Sequence, residues 1–321
     1  MITAAIVGLG RWGRTLVGAV QGKSERLRFT HAVVRREAPH REFAAAHGLG
    51  LSDDYDAVLA DGGIDAIVIA TPHSLHCRQV TAAAQAGKHV FCEKPLSLAA
   101  TEAASAVAAC ERAGVVLGIG TDKRFHPAVG ELIRLVKTGE LGQPIHLEAH
   151  FSNEVAGSFS PWRFAPAESP AGGLTGTGIH MLDAMIALAG SVRRVQAQLL
   201  AHKPPPDPLD SLSVLIEFAS GASGLLAAVR STPMFARLHA FARHASAEMR
   251  GPTELVMRRS GAEPQCQRFA PVDTVRANLE AFADAAAGIA PYPIPPAQIM
   301  AVTAACEAVV NALAIDGRSS L

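Results

Sequence analysis

Two stretches of the chain carry residues whose types and spacing could do chemistry. Gly8-Leu9-Gly10-Arg11-Trp12-Gly13 stands between a short apolar run, Ile2 to Val7, and an apolar helical stretch, Thr15 to Val20. In a strand–loop–helix setting Gly8 allows a tight turn, Gly10 lets the backbone approach a pyrophosphate, and Gly13 lets helix and strand pack closely. The helix start then offers N–H groups and a positive dipole end to phosphates. The second stretch is Phe91-Cys92-Glu93-Lys94-Pro95, where a predicted strand, Lys88 to Cys92, is ended by a proline. Lys94 therefore sits at the carboxyl edge of a sheet, where open α/β folds bind ligands.

The strand after the glycine loop, Arg28 to Val34, ends in Arg35-Arg36-Glu37. A site that prefers NAD usually carries an acid there to accept hydrogen bonds from the adenosine ribose. Arg35 occupies that place, 22 positions after Gly13. An acid would repel a 2′-phosphate, whereas a guanidinium can pair with it bidentately. NADP is favoured over NAD; in a dual-specificity site Arg35 would instead stack on adenine or face water.

The elements that must position these residues alternate. Helices are expected over Arg41–His47 and Asp54–Ala60, and a buried strand over Ile64–Ala70, broken at Thr71-Pro72. His73 and His76 open a helix running to Ala86, where they line a nicotinamide pocket or serve as polar caps. Ser97 is expected to cap a helix from Leu98 to Ala113, and Val115 to Gly120 closes the region as a strand. Such alternation predicts a doubly wound parallel sheet over residues 1–120. From residue 121 the pattern changes. Helices are expected over Ala128–Thr138 and Ile179–Ala189, and strands over Pro144–Phe151, Val192–Leu200, Leu212–Phe218 and Gly224–Arg230. Strands that follow one another without helices between them pair antiparallel, so residues 121–321 read as an α+β domain. Lys203 to Pro208 reads as a connection between strands, and an apolar last helix, Ala297 to Leu313, is expected to pack back on the first domain.

Composition narrows the classes of function. The chain has 321 residues, 49% hydrophobic and 18% charged, with 29 basic and 29 acidic side chains. That is enough for two domains with substantial cores, and the zero net charge gives no support to nucleic acid or an anionic membrane as partner. Five scattered cysteines without CxxC or zinc spacing read as reduced core residues of a cytoplasmic protein. No uninterrupted apolar run approaches the ~20 residues of a membrane span.

These motifs, with Ala70-Thr71-Pro72, Gly87-Lys88-His89, Lys123-Arg124-Phe125 and Gly178-Ile179-His180-Met181-Leu182-Asp183, resemble the glucose–fructose oxidoreductase/inositol dehydrogenase (Gfo/Idh/MocA) family. The resemblance covers essentially the whole chain. It implies an N-terminal Rossmann domain and a C-terminal domain with a large, mostly antiparallel sheet whose open face serves assembly into homodimers or homotetramers. The chemistry it implies is hydride transfer between NADP or NAD and a hydroxyl-bearing carbon of a sugar, cyclitol or related cyclic alcohol. Lys94 would bind and polarise the reacting oxygen, and His180 would exchange its proton, as a base near neutral pKa can. Cofactor contacts are expected at Gly8, Gly10, Arg11, Trp12, Gly13, Arg35, Arg36, Thr71, Pro72, His76, Glu93 and Lys94.

Sugar dehydrogenases of this family usually carry an aspartate four residues before that histidine; here Gly176 stands there. This departure leaves three outcomes open: His180 works without that partner, the substrate is not an ordinary sugar, or the site is not catalytic. A nucleotide-binding sensor, or glycoside hydrolysis or elimination with recycled nicotinamide, are the alternatives. Asp183 could orient His180 or serve as a cap. Arg124, Arg163 and Asp183 are further candidates for substrate contact, Arg163 through a carboxylate or phosphate, beside a packed Trp162. His180 and Asp183 without a third ligand give no basis for a metal site.

Overall fold

The computed structural model of the chain describes residues 1–154, 161–165, 167–200 and 210–315. The connection expected at Lys203 to Pro208 lies outside the described residues. The chain divides into two compact units, one of residues 1–120 with 273–299, the other of residues 121–272 with the chain from 300 onward.

The first unit begins β1 (Ile2–Val7), α1 (Arg11–Val20), β2 (Leu27–Val33), α2 (Arg41–His47), β3 (Gly50–Ser52), α3 (Tyr55–Ala60) and β4 (Ala66–Ile69). It continues with α4 (His76–Gln85), β5 (His89–Cys92), α5 (Ala100–Ala113) and β6 (Leu117–Ile119). The six strands pair parallel in the order β3-β2-β1-β4-β5-β6. Strands this apolar are covered on both faces, and every residue of β4 is buried. The order reverses at β1, so the carboxyl ends of β1 and β4 flank the switch point of the sheet. Asp54 caps α3 by accepting from the Ala57 N–H, and Gly48, at φ 67°, ends α2. Ser97 is not the N-cap residue of its helix. α5 starts at Ala100 with Ala99 in that place, and the Ser97 hydroxyl accepts from the Ala99 N–H and donates to Glu102. Its short reach satisfies the entering loop, which shifts the first helical turn two residues on.

Sequence patterning did not single out β3, the four strands after residue 230, or a helix that returns to this unit. Within the second unit the chain forms α6 (Pro127–Lys137), β7 (Pro144–Ser152), α7 (Ile179–Ala189), β8 (Val192–Leu200), β9 (Ser211–Phe218) and β10 (Ser223–Val229). There follow β11 (Phe235–Ala242), β12 (Ser246–Arg250), β13 (Glu254–Arg258) and β14 (Gln265–Arg268), then α8 (Thr274–Ala286) and α9 (Pro296–Ile315). α8 belongs to the first unit. Leu279, Phe282 and Ala283 enter its core, with Phe282 edge-on to Phe91. The same segment closes the exposed edge of β6. Asn278 donates to the Ile119 carbonyl, and the Ile119 N–H donates to the Tyr292 hydroxyl, which satisfies backbone groups that an open edge would leave unpaired. The return to the first unit was expected from the last helix. Val302, Ala305, Cys306 and Val309 of α9 lie instead in the core of the second unit. By length and composition α9 is apolar enough to cross a bilayer. Not every cysteine is in a core: Cys266 is exposed on β14.

The second unit is built on an eight-stranded sheet of order β14-β13-β12-β11-β7-β10-β9-β8, antiparallel except where β10 runs parallel to β7. Leu147, Ala149 and Phe151 of β7 alternate into a core shared with α6 and α7. α7 is apolar on every side, with ten of its eleven residues buried, as a helix enclosed by its own domain should be. Two of those residues are polar, His180 and Asp183.

Asp183 is held by Arg124, which lies in the 3-10 turn Asp122–Phe125. Arg124 Nε and Nη2 donate to the two carboxylate oxygens at 2.8 and 2.9 Å, and Nη2 also donates to the Asp183 carbonyl at 3.0 Å. Both side chains are buried. Burial pushes the Asp183 carboxyl above its usual range, and the guanidinium opposes that shift. Such a pair adds little net stability over apolar packing but is costly to break from one side. Arg124→Met should therefore lower the unfolding free energy by about 3–5 kcal/mol, while Arg124→Met with Asp183→Leu should recover most of the loss. Urea denaturation followed by circular dichroism measures both; equal losses would mean that Arg124 acts through its packed stem, not its charge.

Candidate functional site

The first unit gathers its predicted residues along the carboxyl edge of the parallel sheet. Gly8 follows β1 at φ 96°, and a Cβ on it would meet the Ala70 carbonyl oxygen at 2.8 Å. A Cβ on Gly13 would stand 2.0 Å from the Gly8 carbonyl oxygen, so helix α1 can lie this close to β1 only with glycine there. At Gly10 a Cβ would meet nothing within 4 Å. Gly10 is also the N-cap of α1, with no side chain bonded across the first turn and no acid in it. The loop thus has two positions closed by backbone and one open beside a helix N-terminus. That fits the pyrophosphate of a dinucleotide, to which free N–H groups and the helix dipole are offered. Arg11 is exposed at this edge, and the indole nitrogen of Trp12 is buried without a hydrogen-bond partner among the described residues.

Across the switch, Thr71 and Pro72 follow β4 and Glu93-Lys94-Pro95 follows β5. The Glu93 N–H donates to the Ile69 carbonyl and carries the ladder one residue past the strands. A Cβ on Gly120 would meet the Glu93 carboxylate at 2.4–2.6 Å, so the absent side chain gives that buried acid its room. Lys94 follows, half-buried, its N–H donating to Glu93 Oε2 at 3.3 Å. His76 is fully buried, with Nδ1 2.8 Å from the Pro95 carbonyl and Nε2 3.0 Å from the Thr71 carbonyl. It ties the loop after β5 to the loop after β4, a bracing role in addition to the cofactor contact expected of it. His73 is buried edge-on to it.

Past β2, Arg35 and Arg36 are exposed. Arg14 joins them from α1, donating to the Leu9 and Pro39 carbonyls and lying 3.4 Å from His40 Nδ1. Burial, then the charges of Arg14 and Arg36, push His40 below its ordinary pKa. The nearest acid in sequence, Glu37, lies 4.0 Å from Arg41. Arg14 and His40 escaped the sequence reading because neither belongs to the glycine fingerprint; only the fold carries them to the end of β2.

In the second unit, His180 is buried on the first turn of α7. Leu174–Gly178, immediately before it, forms a π turn, and Ala171 enters that turn at a positive φ of 58°. Both are departures that a chain tolerates mainly near functional sites. Gly176 lies inside the π turn, and a Cβ there would meet nothing within 4 Å. Asp183, one turn beyond His180, gives both carboxylate oxygens to Arg124, so these two candidate substrate contacts are also partners of each other. The carboxylate facing His180 comes from elsewhere. Asp122 Oδ1 stands 3.7 Å from His180 Nδ1, and Asp122 Oδ2 accepts from Lys123 Nζ at 2.9 Å. Both Asp122 and His180 are buried. Nearby, burial and then the Lys123 charge push His126 down to about 4, against Asp122, so it is neutral. Arg163 stacks on Trp162 at 4.5 Å from the ring centroid.

Residues 2–121 match the profile of an oxidoreductase family with an NAD-binding Rossmann fold, and residues 129–248 match the GFO/IDH/MocA C-terminal domain. The chain is 32% identical over 247 residues to a scyllo-inositol 2-dehydrogenase (NAD(+)) of Bacillus subtilis, over 72% of this chain and 68% of that protein. It is 31% identical over 224 residues to D-xylose 1-dehydrogenase (NADP(+)) 2 of Haloferax volcanii, over 68% and 66%. Its fold is that of an aldose-aldose oxidoreductase from Caulobacter crescentus crystallised with glycerol. The TM-score is 0.86 at 24% identity, over 99% and 98% of the two chains. With both units matched, in sequence and in fold, the chain belongs to the Gfo/Idh/MocA family of oxidoreductases.

Proposed function

We propose that this protein is an NADP-preferring dehydrogenase acting on a hydroxyl-bearing carbon of a sugar, cyclitol or related cyclic alcohol in the cytoplasm. The observation that carries this reading is the open Gly10 position at the N-terminus of α1, beside a switch point where Lys94 is held at the end of β5. The relatives of this chain include both an NAD-dependent cyclitol dehydrogenase and an NADP-dependent sugar dehydrogenase.

When bound, the nicotinamide supplies a hydride acceptor or donor. The chain holds the dinucleotide through the Gly8–Gly13 loop, with Thr71, Pro72, His76 and Glu93 shaping the rest of that edge. Lys94 provides an ammonium that binds the reacting oxygen and stabilises the charge it gains as its proton leaves. His180 takes that proton in oxidation and returns it in reduction. Arg35 and Arg36, with Arg14 nearby, form a cationic end to β2 that suits a 2′-phosphate better than a bare ribose, and the lowered pKa of His40 leaves it there as a neutral polar group.

Gly176 favours one other reading, a nucleotide-bound sensor without chemistry. The two readings part on a panel of sugars and cyclitols with NADP: the dehydrogenase reduces it, the sensor binds it and does not.

We also infer assembly into a homodimer or homotetramer through the outer face of the eight-stranded sheet. Leu215 and Leu225 are directly paired across β9 and β10, yet they are 51% and 41% exposed. Around them Arg237 bonds Glu148 and Glu248. A cross-strand leucine pair left in water is what a second copy would cover.

Three outcomes follow. Lys94→Met should lower kcat by about 100-fold or more while leaving NADPH affinity within about threefold; steady-state kinetics beside nicotinamide fluorescence titration separates the two, and unchanged turnover would remove Lys94 from the chemistry. The same titration should show NADPH bound more tightly than NADH, with Arg35→Asp weakening NADPH by about 10- to 100-fold, the equivalent of one charge-assisted hydrogen bond. A preference for NADH in the unaltered protein would reverse the cofactor assignment. Light scattering should give a dimer or tetramer mass, reduced to the monomer by Leu215→Asp with Leu225→Lys; a monomer before substitution ends the assembly proposal.

A further inference from the structure

The family resemblance puts an aspartate four residues before the histidine, and this chain has Gly176 there. We propose that Asp122, from the 3-10 turn after β6, supplies the missing carboxylate and fixes the imidazole of His180 through Nδ1. This rests on the reading of His180 as the proton-exchanging base.

The geometry is set by a clamp one turn away. Arg124 grips Asp183 with three donated hydrogen bonds, all 2.8–3.0 Å and all buried. Asp122 and Arg124 are two residues apart in the turn, while His180 and Asp183 are three apart on α7 and so share a face. Fixing Arg124 to Asp183 therefore fixes which residue of the turn faces His180, and that residue is Asp122, at 3.7 Å. That separation is about 0.7 Å beyond a good N–H···O contact, so a small rotation of either side chain closes it. Catalytic hydrogen bonds are often this long before substrate arrives.

The consequence is chemical. A carboxylate facing Nδ1 favours the tautomer that carries its proton there, which leaves the Nε2 lone pair for the substrate hydroxyl. It also stabilises the imidazolium that forms when His180 takes the proton. Among the groups described around this corner, Lys123 bonds the second oxygen of Asp122, Arg124 bonds Asp183, His126 is neutral, and the apolar ring of Phe151 lies 6.4 Å from the imidazole. Asp122 is thus a positioning residue, acting through His180.

The test uses the full-length protein with isotopically labelled histidine, His180 being assigned by its loss in His180→Gln. In NMR titration, Asp122→Asn should lower the His180 pKa by about one unit or more. Asp122→Ala should also shift the neutral ring from the Nδ1–H toward the Nε2–H tautomer, read from its nitrogen shifts. Because a Cβ at Gly176 has open space around it, Asp122→Asn with Gly176→Asp should restore the titration. In turnover, Asp122→Asn should lower kcat about 10- to 100-fold and move the acid limb of the pH profile, with NADPH affinity unchanged. Bound NADPH fluorescence in each variant reports that the fold is intact. A His180 titration and tautomer indifferent to residue 122 would overturn the pairing even if the enzyme turns over. Coupling in the NMR without turnover of any alcohol by the unaltered protein would uphold the pairing and remove the dehydrogenase reading instead.

Discussion

The buried bond between Arg124 and Asp183 is the interaction that holds α7 in register with the turn Asp122–Phe125. An ion pair out of water is a poor way to gain stability, because desolvating both charges cancels most of their attraction. It is a good way to gain register. A guanidinium that donates to both oxygens of a carboxylate and to the carbonyl of the same residue admits one arrangement, where apolar packing would admit several. α7 needs such a device. Enclosed and apolar apart from His180 and Asp183, it has only that pair to set its rotation, and a helix rotated by one residue position would carry His180 about 100° away from Asp122.

In the first unit the constraints are steric instead. The Gly8 carbonyl oxygen lies where a Gly13 side chain would begin, and the Ala70 carbonyl oxygen lies where one on Gly8 would. Backbone packed against backbone leaves the start of α1 no freedom, so its N–H groups point where the sheet order reverses. A flexible loop would have to be ordered by the ligand, at a cost to affinity; this one is ordered beforehand. His76, between the carbonyls of Thr71 and Pro95, does the same for the segment that carries Lys94.

What could be read from the sequence follows from how local each feature is. The glycine loop, the strand and break before Lys94, and helices such as α2 and α7 are written in consecutive residues, and they lie where the pattern put them. β11 to β14 were not, for a physical reason. β14 is exposed at every position and lies at the edge of the sheet, so it has no buried face to impose an alternation. α8 did carry a signal, with Val275, Leu279, Phe282 and Ala283 at helical spacing, but nothing local says which unit it belongs to. Phe91 and Ile119, about 190 and 160 residues earlier, decide that. Arg124 and Asp183 read as candidate substrate contacts in the sequence; that they bond each other is a fact about the fold.

The same reasoning bears on Gly176. A motif read as a string treats the absent aspartate as a lost function, but a base does not need its carboxylate at a particular place in the chain. It needs negative charge near one ring nitrogen, away from bulk water, and held still. Asp122 meets those terms from a turn some 60 residues away, and because Lys123 takes its other oxygen, its field at His180 is weaker than that of an unshared carboxylate. A base held too firmly in its charged form could not take up a substrate proton, so with His180 as the proposed base, a carboxylate shared between an ammonium and an imidazole would leave it closer to the balance that proton exchange in both directions requires.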